Sequence, residues 1–282
     1  MSAVDVKPIF MFGPPRTGTT LLARLLAGGN GVLSLSEPFH LHAILHRWAL
    51  RGFFWDFQRR HGLRRVPWPN RCTVERFLAF LRETAGANGL RYLVIKEVFH
   101  ELGLRPPFCN LHLLERLAAG GAPVIALIRH PCDAAASTLG LLQWLLGKHR
   151  GCIIRLLWPS VPRFRDDGHL IRWAAENWAH FADWARQRDF FVVRYEDLVA
   201  DPAKMLSHIC DRVGLPFHQR MLDHHRHKPV AFGGIGDPKV LMLKARPVHD
   251  EAIGRGRNLT RRQSDSVKAA CGTQAAELGY TL

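Results

Sequence analysis

Residues Pro8-Ile9-Phe10-Met11-Phe12-Gly13-Pro14-Pro15-Arg16-Thr17-Gly18-Thr19-Thr20-Leu21-Leu22 are the stretch from which the fold can be read. A short apolar run passes into a Gly/Pro loop and then into a helix-like apolar pattern. That is the strand, loop and helix order of a phosphate cradle, in which backbone N–H groups and a helix N-terminus face an anion. Gly13 and Gly18 satisfy G-x-x-x-x-G, but Thr19 stands where a nucleotide triphosphatase needs Lys. Arg16 supplies positive charge inside the loop instead, and a planar guanidinium suits a fixed oxyanion. The expected ligand is a nucleotide that ends differently from ATP.

Working outward, further short apolar runs bounded by turn residues lie at 92–95, 124–128 and 190–194, besides the opening run at 8–12. They are rich in Val, Ile and Phe and do not alternate, as strands buried on both faces do not. Helical patterns separate them at roughly 19–28, 40–60, 73–86, 109–119, 132–147, 168–188 and 202–213. Strands alternating with helices predict an α/β fold: one P-loop-type domain over residues 1–282, with a central parallel sheet flanked by helices. Ligands of such sheets bind beyond the carboxyl ends of the strands, where Arg16, Lys96 and Arg129 fall.

Composition narrows the class of ligand. The 282 residues are 47% hydrophobic and 22% charged, an ordinary globular balance, yet the formal net charge is +15. Such an excess suits a polyanionic ligand, an acidic acceptor, or a nucleic-acid or membrane surface, or else is a basic solubilising exterior. Six scattered cysteines form no C-x-x-C pair, which argues against a zinc site or disulfide framework and fits a reducing cytoplasm. The first strand begins within a few residues of Met1, so no signal peptide is expected, and no apolar run approaches the ~18 residues of a spanning helix. A peripheral membrane contact stays open.

Two segments are rich in aromatics and cations. The first, 40–71, includes His46, Trp48, Phe53, Phe54, Trp55, Arg59, Arg60, His61, Arg64 and Arg65. The second, 144–173, includes Trp144, Lys148, His149, Arg150, Arg155, Trp158, Arg163, Arg165 and Trp173. Such mixtures suit an acceptor pocket that stacks rings or sugars and holds negative groups. They equally suit a core of aromatics under a solvated cationic face.

Two motifs now carry a family resemblance. Pro15-Arg16-Thr17-Gly18-Thr19-Thr20-Leu21-Leu22 is similar to the 5′-phosphosulfate loop of sulfotransferases that use 3′-phosphoadenosine 5′-phosphosulfate. Val124-Ile125-Ala126-Leu127-Ile128-Arg129-His130-Pro131-Cys132-Asp133, continuing to Ser137, resembles that family's 3′-phosphate motif. Weaker echoes are Val193-Arg194-Tyr195-Glu196-Asp197-Leu198 and Ile253-Gly254-Arg255 leading to Leu278-Gly279-Tyr280.

The resemblance implies a transfer of a sulfuryl group to a hydroxyl of a small-molecule, glycan or lipid-linked acceptor, leaving adenosine 3′,5′-bisphosphate. It implies nucleotide contacts from Pro15, Arg16, Thr17, Gly18, Thr19 and Thr20 at one end and Arg129 with Ser137 at the other. Arg246 and Arg255 are expected to close from the C-terminal loop, and Gly233-Gly234-Ile235-Gly236 to act as a lid. In place of those roles, Arg129 has a local salt bridge to Asp133 open to it, and Ser137 a bond to its own helix backbone.

For the base, cytosolic members of the family place a His two residues after a strand-end Lys. Here Lys96 is followed by Glu97 and then Val98. The segment Leu35-Ser36-Glu37-Pro38-Phe39 instead resembles that of Golgi-type and bacterial members, whose Glu is the base. Glu37 is therefore the expected base, its carboxyl tuned upward by partial burial, with Glu97 and His100 in reserve. Lys96 matches the family lysine that stabilises the departing oxygen, and Arg16 assists it. A sulfuryl group carries less charge than a phosphoryl group, so no metal is expected, and Asp197 is read as a structural acid. The competing readings are a P-loop kinase or NTPase with a degenerate cradle and a non-catalytic polyanion binder, although no specific nucleic-acid module is visible.

Overall fold

The computed structural model describes residues 4–44, 47–70, 73–100, 110–146, 166–226, 229–232 and 246–282. The chain runs β1 (Lys7–Gly13), α1 (Thr19–Ala27), β2 (Val32–Ser36), α2 (Pro38–Ile44), α3 (Arg47–Arg60), α4 (Val74–Ala87) and β3 (Tyr92–Val98). It continues through α5 (Leu111–Ala118), β4 (Val124–Ile128), α6 (Pro131–Leu146), α7 (Asp167–Gln187), β5 (Phe191–Arg194) and α8 (Tyr195–Ala200). Last come α9 (Pro202–Val213), β6 (Ala231–Phe232) and α10 (Arg261–Glu277).

Among the described residues the sheet has six strands in the order β5-β4-β1-β3-β2-β6, every pair parallel. This is the expected α/β architecture with helices on both faces. Period-two alternation divides the opening strand between two cores. Phe10 and Phe12 join Leu93, Ile95, Phe77, Phe80, Trp178 and Phe181 on one face. Ile9 and Met11 join Val94, Leu22, Leu25, Leu26, Leu206 and Ile209 on the other. Both faces are therefore dry, which explains strands that are apolar without a break.

The strand order also locates the site. From β1 the chain moves across β3 to β2, whereas from β4 it moves the opposite way to β5. Between β1 and β4 the direction of winding reverses, and crevices at such switch points receive ligands. The loop 13–18 follows β1 and Arg129 follows β4, so both line this crevice.

Some elements depart from the sequence reading. The pattern at 40–60 is two helices, α2 and α3. The run at 92–95 extends to Val98, because the strand carries the polar Lys96 and Glu97 into its buried end. Three further elements lack an apolar run: α8, the two-residue β6, and α10, which buries only Val267, Cys271 and Ala275, four residues apart. Helix α10 does carry a readable start, since Thr260 and Gln263 form a capping box.

Candidate active site

The loop after β1 closes on itself before it meets any ligand. Thr17 is buried and its hydroxyl donates to Pro14 O at 2.9 Å. Gly18 is the N-cap of α1 at φ 94°, with no side-chain cap over the helix N-terminus. A Cβ at Gly18 would lie 2.4 Å from the Tyr195 ring, so both backbone angle and space demand glycine there. Arg16 has a positive φ of 68°, a strained conformation for a long side chain.

The two nucleotide-like motifs meet in this crevice. Arg16 Nε donates to Ser137 Oγ at 3.0 Å, across 121 residues of sequence. Arg129 Nη1 donates to Arg16 O at 3.2 Å, and Arg129 Nη2 donates to Ala252 O. The Arg129 side chain is only 4% exposed, lies 5.0 Å from the Tyr195 ring centre and sits 3.6 Å from an oxygen of Asp133. Its Nε is buried with no hydrogen-bond partner, a donor that suits an anion. Burial pulls the Arg129 pKa down and neighbouring Arg255 adds to this, while the carboxylate of Asp133 and the ring of Tyr195 oppose it. An anion in the crevice would relieve both cationic penalties.

Asp133 is more than a local partner of Arg129. Its two oxygens accept Gly254 N–H at 2.7 Å and Gly256 N–H at 2.6 Å, tying the C-terminal loop to the start of α6. A Cβ on Gly256 would meet Cys132 Cβ at 2.6 Å, so the position has no room for a side chain. Glu196 makes the next tie, accepting His130 N–H at 2.8 Å and the Tyr280 hydroxyl at 2.8 Å. Trp178 Nε1 donates to Arg129 O at 2.9 Å. The reading of the sequence missed the roles of Asp133, Tyr195 and Glu196, although the Tyr195-Glu196-Asp197 echo marked the place.

A second cluster lies one strand away. In the sheet register Lys96 pairs with Met11 on one side and Ser36 on the other, so it sits at the rim beside the loop that follows β1. Lys96 is 2% exposed, and its Nζ is paired with Glu37 Oε1. Glu37 follows β2 directly and adopts a positive φ of 58°. Its N–H donates to Lys96 O at 2.6 Å, and its carbonyl accepts Leu41 N–H at 3.0 Å as α2 begins. The Glu37 side chain keeps 30% of its surface exposed.

The Glu37 carboxyl titrates below its ordinary value, opposite to the upward tuning expected from the sequence. Burial pushes it up, but the ammonium of Lys96 at contact distance outweighs burial, with His40 and His100 helping. Glu97 lies on the opposite face of β3, 0% exposed, where its Oε1 accepts Phe39 N–H at 2.7 Å. Burial and then the charge of Glu37 push Glu97 up to about 8. His100 is driven down to about 3, first by burial.

The remaining expected residues divide. Arg255 is exposed at the rim, near enough to Arg129 and Tyr195 to perturb both. Arg246 is exposed and pairs with Glu251 at 3.6 Å. The Gly233–Gly236 stretch lies outside the described residues, as do Lys148, His149, Arg150, Arg155, Trp158, Arg163 and Arg165 of the second aromatic and cationic segment and His46 of the first. Within segment 40–71, Phe54 and Phe57 belong to the core, whereas Arg51 stacks on Trp48 at 4.3 Å and Trp55 at 4.4 Å. Among the described residues, no helix is long and apolar enough to cross a membrane.

The Sulfotransferase family profile matches residues 8–219. None of the curated protein sequences matches the chain. Among solved structures, the sulfotransferase domain of the Synechococcus PCC 7002 olefin synthase aligns over 100% of this chain and 98% of its own, with TM-score 0.60 and 20% identity. The sulfotransferase domain of the curacin biosynthetic pathway aligns over 100% of both chains, with TM-score 0.57 and 20% identity. Mouse sulfotransferase SULT7A1, complexed with PAP, aligns over 96% of this chain and 84% of its own, with TM-score 0.51 and 12% identity. These likenesses are of fold. With the profile spanning both the loop after β1 and the Arg129 motif, the chain belongs to the sulfotransferase family.

Proposed function

We propose that the chain is a sulfotransferase specific for 3′-phosphoadenosine 5′-phosphosulfate that acts on a hydroxyl of a small-molecule, glycan or lipid-linked acceptor, with Glu37 as the general base. The observation that carries the reading is the Arg16–Ser137 hydrogen bond, with Arg129 on Arg16 O, which joins two cationic motifs in one crevice. When bound, the donor supplies an activated sulfuryl group and leaves as adenosine 3′,5′-bisphosphate.

The chain's own residues then divide the work. Arg16 and the N-terminal turn of α1 at Gly18, Thr19 and Thr20 hold the 5′ end, with Pro15 and Thr17 shaping the loop. Arg129 and Ser137 hold the 3′-phosphate, and Arg255 adds charge from the rim. Lys96 is placed to leave Glu37 for an oxygen carrying developing charge. As that ion pair opens, Glu37 loses the influence that depresses its pKa and becomes a better acceptor for the hydroxyl proton. Transfer thus couples cation to leaving oxygen and carboxylate to nucleophile, and charge comes from Arg16, Lys96 and Arg129 without a metal being invoked.

Titration calorimetry tests the reading. Adenosine 3′,5′-bisphosphate should bind without Mg²⁺ and far more tightly than ATP. Preference for Mg·ATP would make the protein a kinase or NTPase, and salt-sensitive DNA binding in place of nucleotide binding would make it a polyanion binder. Labelled donor offered with a panel of alcohols, phenols and glycans then identifies the acceptor.

A further inference from the structure

Three consecutive features of one short turn point back to the same two residues of β3. Glu37 sits at φ 58°, outside the conformations an L-residue prefers, and something must hold it there. Its N–H is held by Lys96 O, its carboxylate by Lys96 Nζ, and the next free backbone donor, Phe39 N–H, by the carboxyl of Glu97. Pro38 between them has no N–H to offer. Lys96 therefore grips the turn from one face of the strand and Glu97 from the other.

Resting on the reading of Glu37 as base, we propose that Glu97 is a positioning residue whose buried side chain fixes the Ser36–Phe39 turn and so aims Glu37. Its surroundings favour an uncharged carboxyl. Glu97 Oε2 is buried with no hydrogen-bond partner, and an unpaired buried charge is costly. The groups that act on it are Glu37 at the end of β2, Lys96 beside it on β3, and the backbone N–H groups of Phe39 and His40 on α2. The side chains of His40 and His100 face the same Glu37 carboxylate, and burial lowers the pKa of each.

Since Glu97 titrates near 8, the turn at neutral pH contains one charged carboxylate, Glu37, balanced by one ammonium, Lys96. Above that pH a second carboxylate competes for Lys96 and adds negative charge beside an anionic donor. The rate should fall there. This fall belongs to Glu97, not to the base.

The test uses the full chain with the donor itself and water as acceptor, measuring sulfate released from 3′-phosphoadenosine 5′-phosphosulfate, so that no acceptor need be known. In that reaction the water oxygen bonds to sulfur, the bridging S–O bond breaks and Glu37 takes a proton. Calorimetric affinity for adenosine 3′,5′-bisphosphate is measured on every variant, and ¹³C NMR of carboxyl-labelled glutamate follows the titration directly.

Glu97→Gln keeps an acceptor for Phe39 N–H but cannot ionise. It should retain the rate at pH 7 within about threefold, stay flat above pH 8 where wild type declines, and lack a resonance that titrates near 8. Glu97→Leu, which cannot accept, should lose tenfold or more in rate with nucleotide affinity within about twofold. Coincident pH profiles for wild type and Glu97→Gln, or a wild-type rate in Glu97→Leu, would overturn the proposal. So would an equal loss of nucleotide affinity in Glu97→Leu, which would make Glu97 a general packing residue. Glu37→Gln separates the two claims: a dead Glu37→Gln beside an active Glu97→Leu sinks only the positioning role, and an active Glu37→Gln sinks the base itself.

Discussion

The crevice between β1 and β4 and the outer face of α3 are both rich in arginine, and they use it in opposite ways. In the crevice, Arg16 reaches a partner 121 residues away and Arg129 a partner 123 away, both within a half-buried or buried setting. On α3 three of the cations find neighbours within a turn: Arg59 and Arg60 pair with Asp56 three and four residues back, and Arg51 stacks between Trp48 and Trp55. Trp48 is 61% exposed. Exposed local pairs contribute little, since solvent screens them and ordering long side chains costs entropy. Charges tied across the sheet are fixed before a ligand arrives. Burial and ties across the sheet, more than cationic content, separate this crevice from that solvated face.

Substitutions can break or sharpen this contrast. Glu37→Gln should lower turnover by roughly a thousandfold while leaving affinity for adenosine 3′,5′-bisphosphate within about twofold, checked by single-turnover kinetics and calorimetry. Intact turnover would move the base away from the rim. Phe54→Ala, on the buried face of α3, should cost about 3–5 kcal/mol by denaturant unfolding, through lost burial and the cavity left against Phe77 and Phe80. Nucleotide affinity measured well below the midpoint should survive it.

Arg129→Ala should weaken that affinity by about 10- to 100-fold, the range of a charge-assisted contact, with a smaller effect on the rate at saturating donor. An unchanged affinity would remove Arg129 from the nucleotide site. Arg51→Ala should be nearly silent, below about 1 kcal/mol in stability and without effect on nucleotide binding. If it weakened the nucleotide complex, α3 would belong with the crevice.

Much of this architecture was legible in the chain because parallel strands buried on both faces leave unbroken apolar runs, as at 8–12 and 124–128. The crevice was legible too, since Gly13, Gly18 and Arg129 sit where strands end. What the residues did not disclose was pairing. Nothing local in the sequence announces that Asp133 holds Gly254 and Gly256, or that Glu196 spans His130 and Tyr280. The sign of the Glu37 shift was missed for the same reason: a one-dimensional reading sees burial but not the ammonium that burial brings into contact. Helix α10 escaped because three small apolar positions make too narrow a stripe to stand out.

Among the described residues, the non-glycine positions with left-handed backbone are Arg16, Glu37 and Asp189, and two of those three line the rim. Relaxing either to glycine would relieve on the order of 1 kcal/mol of conformational penalty while deleting a group to which the proposed mechanism gives a role. A collection of variants screened for heat endurance alone would therefore admit glycine at 16 sooner than at 37, where losing the carboxylate strands the buried Lys96 ammonium without its partner.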